Sequence, residues 1–186
     1  LHNSERVGVN KAQSGQQTLQ ALNPLITIEP LAQRLSDADL DRLMPQHDVV
    51  LDCTDNFATR HAINRAAVRH RVPIVSGAGI RFAGQISVYD LRDGQAPCYH
   101  CLFPEADDVQ ELRCATTGVL GPLVGMVGCI QAAEALKVIG GFGEPLVGLP
   151  QQGHDLPGQG PAPGEALRGG PGPGVRRVVE QQHDPH

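Results

Sequence analysis

Apolar and polar positions alternate with two different periods along residues 1–148, and the switches between them mark out strands and helices. Residues 9–22 predict a helix with Ala12, Leu19 and Leu22 on one side, stopped by Asn23-Pro24. Leu25 to Glu29 (Leu-Ile-Thr-Ile-Glu) predicts a short strand. Ser36 is the expected cap of a brief helix through Met44, with Asp39 as its box partner. Asp48 to Cys53 is a near-continuous apolar run, the pattern of a strand buried on both faces. Residues 57–70 predict a helix with Ala58, Ala62, Ile63 and Ala66 inward, and Val72 to Ser76 a second buried strand. Gly84 to Leu91 alternates as a half-covered strand does. Strands alternating with helices predict an α/β fold: a mostly parallel sheet with helices on both faces.

Two stretches break this rhythm. Cys114 to Ala133 carries no charge over twenty residues, the length of a membrane span. Thr116, Thr117, Pro122, Gln131 and its glycines weaken that reading, and Glu134 and Lys137 continue the same helical face. A buried, Gly-rich core helix is expected, and no membrane. From Leu149 onward the text turns rich in Gly and Pro, and its few aliphatics follow neither period. Such a segment buries too little apolar area to offset the entropy of ordering it, so 149–186 reads as a disordered tail after a domain ending at 148.

Composition narrows the class. A chain of 186 residues that is 40% hydrophobic and 19% charged, with net charge -5, is long enough for one domain with a buried core. The mild acidity and the absence of a Lys/Arg cluster argue against a nucleic-acid surface. Four Phe, two Tyr and no Trp leave an aliphatic core. Five cysteines, an odd number with one C-x-x-C pair, fit a reducing cytoplasm better than a disulfide framework. The chain opens Leu1-His2-Asn3, without Met or a signal-peptide pattern, so a further segment is expected upstream.

Four positions carry candidate chemistry. Asp55 and Asn56 follow the buried strand Asp48–Cys53 at its carboxyl edge, where open α/β sheets bind ligands. Asp55 suits a magnesium ion and Asn56 a ligand hydrogen bond; either also suits the cap of the helix beginning near Phe57. Lys11 stands near a helix start after Gly8, where backbone N–H groups favour anions such as a polyphosphate; a solvated surface lysine is the alternative. Pro97-Cys98-Tyr99-His100-Cys101 offers half of a tetrahedral zinc site, or a redox dithiol, with His100 read as a passive loop residue. Cys114, beside Arg113, suits an exposed nucleophilic thiol, whereas Cys53 and Cys129 read as packing.

In this order the pieces resemble the MoeB/ThiF/HesA family, bacterial relatives of ubiquitin-activating enzymes. The resemblance runs from Leu1 to Gly148 through Val-Gly-x-x-Lys-Ala, Ala-Leu-Asn-Pro, Asp-Cys-Thr-Asp-Asn-x-x-x-Arg, Val-Ser-Gly-Ala-Gly-Ile-Arg, Gly-Gln-Ile-Ser-Val, Cys-x-x-Cys-Leu and Gly-x-Leu-Gly-Pro-Leu-Val-Gly, closing on Gly-Cys-Ile-Gln-Ala-Ala-Glu-Ala-Leu-Lys. It implies the C-terminal part of an adenylation domain with an incomplete Rossmann-like sheet. It implies use of MgATP to adenylate the C-terminal glycine of a ubiquitin-like sulfur-carrier protein, by a homodimer. Lys11 would contact the ATP phosphates, Asp55 would help hold magnesium with Asn56 adjacent, and Cys98 with Cys101 would be the first zinc knuckle. Cys114 matches the crossover-loop cysteine, which adenylation does not require in MoeB-type members.

The departures shape the expectation. The family's Gly-rich nucleotide loop, acidic ribose-binding residue and arginine motif belong upstream of Leu1, and the second C-x-x-C is replaced by the Gly/Pro-rich tail, as a shifted reading frame would do. His183 and His186 are conceivable substitutes for the two thiolates. The sequence is thus read as MoeB-like adenylation for molybdopterin synthesis. ThiF-like activation of the thiamine-pathway carrier, a partner-binding fragment without turnover, and a Cys98/Cys101 dithiol oxidoreductase stand as alternatives.

Overall fold

In the computed structural model, which describes residues 1–105, 118–147, 151–152 and 178–181, the chain divides into two compact units. The smaller is formed by Leu1–Ser36 and the larger begins at Asp37. In the smaller unit α1 (Lys11–Leu22) begins where the Asn10 side chain accepts the Ala12 N–H at 2.9 Å. The helix buries Ser14, on which Arg6 and His2 converge: Arg6 Nη1 donates to Ser14 O at 2.5 Å, and His2 Nδ1 lies 2.9 Å from Ser14 Oγ. Leu22, expected inward, is 77% exposed.

The strand expected at Leu25–Glu29 does not form. An extended segment becomes a strand only by finding a partner ladder, and here side-chain amides take its carbonyls instead. Gln20 Nε2 donates to Pro24 O and Ile26 O at 3.3 and 3.2 Å, and Gln16 Nε2 to Ile28 O at 2.8 Å.

The larger unit opens with α2 (Asp37–Leu43) and then β1 (Val49–Asp52). Next comes α3 (Phe57–His70), with the bounds the sequence predicts. Its buried face is His61, Ile63, Asn64, Ala66 and Ala67; Ala58, expected inward, is exposed, and Ala62 is half-buried. The face is rotated because two polar residues, His61 and Asn64, share it with the aliphatics. β2 (Ile74–Ile80) and β3 (Ala83–Tyr89) form an antiparallel hairpin whose turn places Arg81 at φ 51°. The short α4 (Tyr99–Leu102) and the long α5 (Gly121–Gly140) follow.

The sheet order is β4-β3-β2-β1-β5, with β4 at Gln151–Gln152 and β5 at Val178–Gln181. β2, β1 and β5 run parallel, and the hairpin makes the β3 side antiparallel. β4 and β5 fall inside 149–186, the stretch read from sequence as a disordered tail. Ladder hydrogen bonds involve backbone alone, and β1 has an edge to pair, so strand pairing needs no apolar period in the added segment.

Val49, Val75 and Val88, all 0% exposed, meet Ala135 and Val138 of α5 to form the core. Val127, Gln131, Glu134, Ala135 and Val138 recur at helical spacing on the face that packs against β1, β2 and β3. The other side is open: Met126, Ile130 and Leu136 are 56%, 42% and 60% exposed, and Cys129, expected to pack, is exposed as well. The core helix expected here is buried on one face only, because the sheet covers just that side of it. By length and composition α5 would cross a membrane, but its buried face is hydrogen-bonded within the protein. Glu134 Oε2 accepts the Leu146 N–H at 2.8 Å, and its Oε1 meets Lys137 Nζ at 2.6 Å.

Candidate functional site

The carboxyl end of β1 is held by buried polar groups rather than by packing alone. Asp52 is 2% exposed; its Oδ1 accepts the Thr54 N–H at 3.0 Å and the Thr54 hydroxyl at 2.7 Å, and its Oδ2 accepts Ser76 Oγ at 3.2 Å. From α5, Gln131 Nε2 donates to Asp52 O and to Val75 O, each at 3.1 Å. Arg60 of α3 donates to Thr54 O from Nε at 3.2 Å and again from Nη2. Three elements therefore fix the turn that follows β1.

Asp55 projects from this turn into solvent, its Oδ1 3.5 Å from the Asn56 amide. Asn56 is the cap of α3: its side-chain oxygen accepts the Thr59 N–H at 2.9 Å. Of the two residues singled out by sequence, one is thus committed to the helix and the other presents a carboxylate on a rigid base. Asp52, Arg60 and Gln131 stand inside motifs quoted from the sequence, but none was singled out there as a site residue. A local signal existed only for Asp52, since Asp-x-Thr is the spacing of an Asx-turn.

Lys11 is the first residue of α1, in the smaller unit, and no acidic residue occupies that helix's first turn. The positive end of the helix dipole there favours an anion.

Cys98 caps α4 and its Sγ lies 3.3 Å from that of Cys101. Two sulfurs on one tetrahedral zinc stand about 3.7 Å apart, so the pair fits two of four positions. Among the described residues no third ligand joins it. Asn64 of α3 anchors this knuckle, accepting the Tyr99 N–H at 2.9 Å and donating to Cys98 Sγ at 3.8 Å. Burial opposes ionisation of Cys98, but the hydrogen bonds from Cys101 and Asn64 outweigh it and hold the thiol below its usual range. A redox dithiol gains little here, because α4 has only four residues and thus no substantial dipole. His100, read as a passive loop residue, lies within α4 with its ring 5.7 Å from that of His61. Cys114, His183 and His186 lie outside the described residues.

The fold is the mixed α/β, Rossmann-like arrangement expected, with an acidic turn at the end of a buried strand. Residues 1–156 match the ThiF family, and the chain belongs to that family. It is 44% identical over 148 residues to Molybdopterin-synthase adenylyltransferase of Escherichia coli (strain K12), covering 80% of this chain and 59% of that protein. It is 43% identical over 152 residues to Sulfur carrier protein adenylyltransferase of Thermus thermophilus, covering 80% and 56%. The chain therefore spans less than two thirds of the length of either. Among solved structures, E. coli MccB crystallised with ATP is similar in fold, with a TM-score of 0.64 at 21% identity over 78% of this chain and 45% of that one.

Proposed function

We propose that the protein serves in ATP-dependent adenylation of the C-terminal glycine of a ubiquitin-like sulfur carrier, the molybdopterin-pathway carrier first, in the cytoplasm. Kinship with adenylyltransferases supports the class. The observation that carries the site is Asp55, an exposed carboxylate on a turn pinned by Asp52, Arg60 and Gln131.

In the reaction a glycine carboxylate attacks the α-phosphorus of ATP, a new P–O bond forms, and pyrophosphate leaves. Two anions must meet, so positioning and charge neutralisation are the protein's task. Lys11, at the start of α1, would contact phosphate oxygens. Asp55 would hold magnesium, which supplies charge neutralisation on the triphosphate. Asn56, its oxygen spent on the cap, would offer only its amide. Cys98 and Cys101 would hold zinc as a structural tie, and Cys114 would be the crossover-loop thiol. The open apolar side of α5 supports a homodimer.

The test is carrier-dependent exchange of labelled pyrophosphate into ATP, with a carrier ending in Gly-Gly. This chain alone is not expected to exchange. Joined to the upstream segment with the Gly-rich loop and arginine motif it is expected to, and there Asp55→Ala is expected to lower exchange on the order of 10²-fold or more. Near-normal exchange by that variant would reduce Asp55 to a turn residue. A thiamine-pathway carrier run in parallel separates the two pathways. A second reading, binding of a carrier or subunit without turnover, is favoured by the same open side of α5; carrier binding with no exchange by the joined chain would select it.

A further inference from the structure

Next to the thiol pair, but not part of it, three other side chains converge. His61 of α3 is buried, and its Nδ1 lies 3.4 Å from Glu105 Oε1. His100 of α4 packs edge-on against His61, and the Glu105 N–H approaches His100 Nδ1 at 3.5 Å. One donor atom from each of the three residues falls within 4.8 Å of the others, and neither Cys98 nor Cys101 belongs to the group. Two nitrogen or oxygen ligands on a tetrahedral zinc stand about 3.3 Å apart, which is the separation already present between His61 and Glu105.

We propose that His61, His100 and Glu105 bind a divalent transition metal, Zn²⁺ or a borderline ion like it, at a site separate from the Cys98–Cys101 knuckle. Two imidazoles and one carboxylate form a donor set suited to zinc, cobalt or nickel and poorly suited to magnesium or calcium. Three protein ligands leave one position for water. The ion would tie α3 to α4 and to the segment after it, so that the knuckle is braced from its imidazole side as well as through Asn64.

One contact opposes the ion and makes the idea sharp. Arg65 Nη1 lies 2.7 Å from the same Glu105 oxygen, a cation where the metal would bring its own charge. Arg65 also reaches Asp37 Oδ2 at 3.4 Å, so it has a carboxylate to keep when Glu105 turns to the metal. Metal and guanidinium therefore compete for Glu105. Removal of the guanidinium must tighten the metal, the reverse of what loss of a structural ion pair does to a merely structural cluster.

The experiment is Zn²⁺ titration of the full chain carrying Cys98→Ser and Cys101→Ser, against a chromophoric chelator. The same chain titrated with Co²⁺ reports the ligands. One zinc per chain is expected, with a cobalt spectrum lacking thiolate charge-transfer absorption. His100→Gln and Glu105→Gln, both on exposed side chains, are each expected to weaken zinc by at least the roughly 10- to 100-fold that loss of an outer hydrogen-bond partner costs a metal site. Arg65→Gln is expected to strengthen it. Circular dichroism on the His100 and Glu105 variants confirms the fold, whereas His61→Asn is reserved because that residue is buried. No stoichiometric zinc in the double-serine chain overturns the proposal, as does unchanged affinity in both the His100 and Glu105 variants, or weaker binding in Arg65→Gln.

Discussion

A Cβ placed on Gly77 would lie 2.3 Å from Cδ of Gln131, because the Gln131 amide crosses above β2 to reach Asp52 O and Val75 O. Gly77 is therefore the empty place in the sheet through which α5 fastens β1 to β2. Gln131→Ala removes the side-chain donor that two buried carbonyls of neighbouring strands share, and is expected to cost about 1–3 kcal/mol. Gly77→Ala displaces the same amide and is expected to cost a similar amount. The two losses are one loss, so the double variant should be much less destabilised than their sum. Urea denaturation of the four chains checks this, and additive costs would mean that Gly77 and Gln131 act independently.

The turn after β1 depends on a second buried group. Asp52→Ala removes the acceptor for the Thr54 N–H, the Thr54 hydroxyl and Ser76 Oγ at once. The expected result is a stability loss of about 1–3 kcal/mol together with faster hydrogen exchange at the Thr54 amide. Pyrophosphate exchange by the joined chain should fall as well, with the half-saturating magnesium concentration raised, since Asp55 loses its base. Asp55→Ala, by contrast, should leave the Thr54 amide protected. Equal amide protection in both variants would remove Asp52 from any role in holding the turn.

Tyr89 supplies a pH test. Burial pushes its phenol up to about 12, with Tyr99 and the Asp52 carboxylate acting in the same direction. Between pH 10, where an unfolded tyrosine ionises, and about 12, the unfolded chain loses a proton that the folded chain keeps. Stability contributed by the neutral phenol is thus fully present below pH 10 and is lost as pH rises through that window. Tyr89→Phe should flatten the alkaline decline. With only two tyrosines in the chain, ultraviolet titration reads the late ionisation directly, and a curve with both ionising near pH 10 contradicts it.

What the sequence made legible follows from how far apart the cooperating residues lie. The bounds of α3 were readable because its start, cap and apolar spacing are local, and Asn56 could be picked out as one of two candidate caps. Asp55 was readable because an apolar run ends just before it. Asp52, inside that run, was not singled out; its partner Ser76 is 24 residues away, and the Gln131 contact to its carbonyl spans 79. The Leu25–Glu29 segment was misread for the same reason, since alternation records that a segment could pair and not whether a neighbouring strand exists. His61 gave no signal at all, because a histidine on a helix face shows nothing of the His100 and Glu105 that fold against it.

The open side of α5 yields the last prediction. Met126, Ile130 and Leu136 expose apolar surface on a helix whose opposite face holds the core, and contiguous exposed apolar patches mark interaction surfaces. If copies of the chain pair through this side, Ile130→Glu places a charge in the interface while leaving the folded subunit's packing untouched. Denaturation of the monomer should change by no more than about 0.5 kcal/mol, as for surface substitutions generally. Sedimentation velocity should shift from dimer to monomer, and Val127→Ala, on the buried face, should instead lower stability without that specific shift. An unchanged sedimentation coefficient for Ile130→Glu at concentrations where the parent chain is dimeric would place the interface elsewhere.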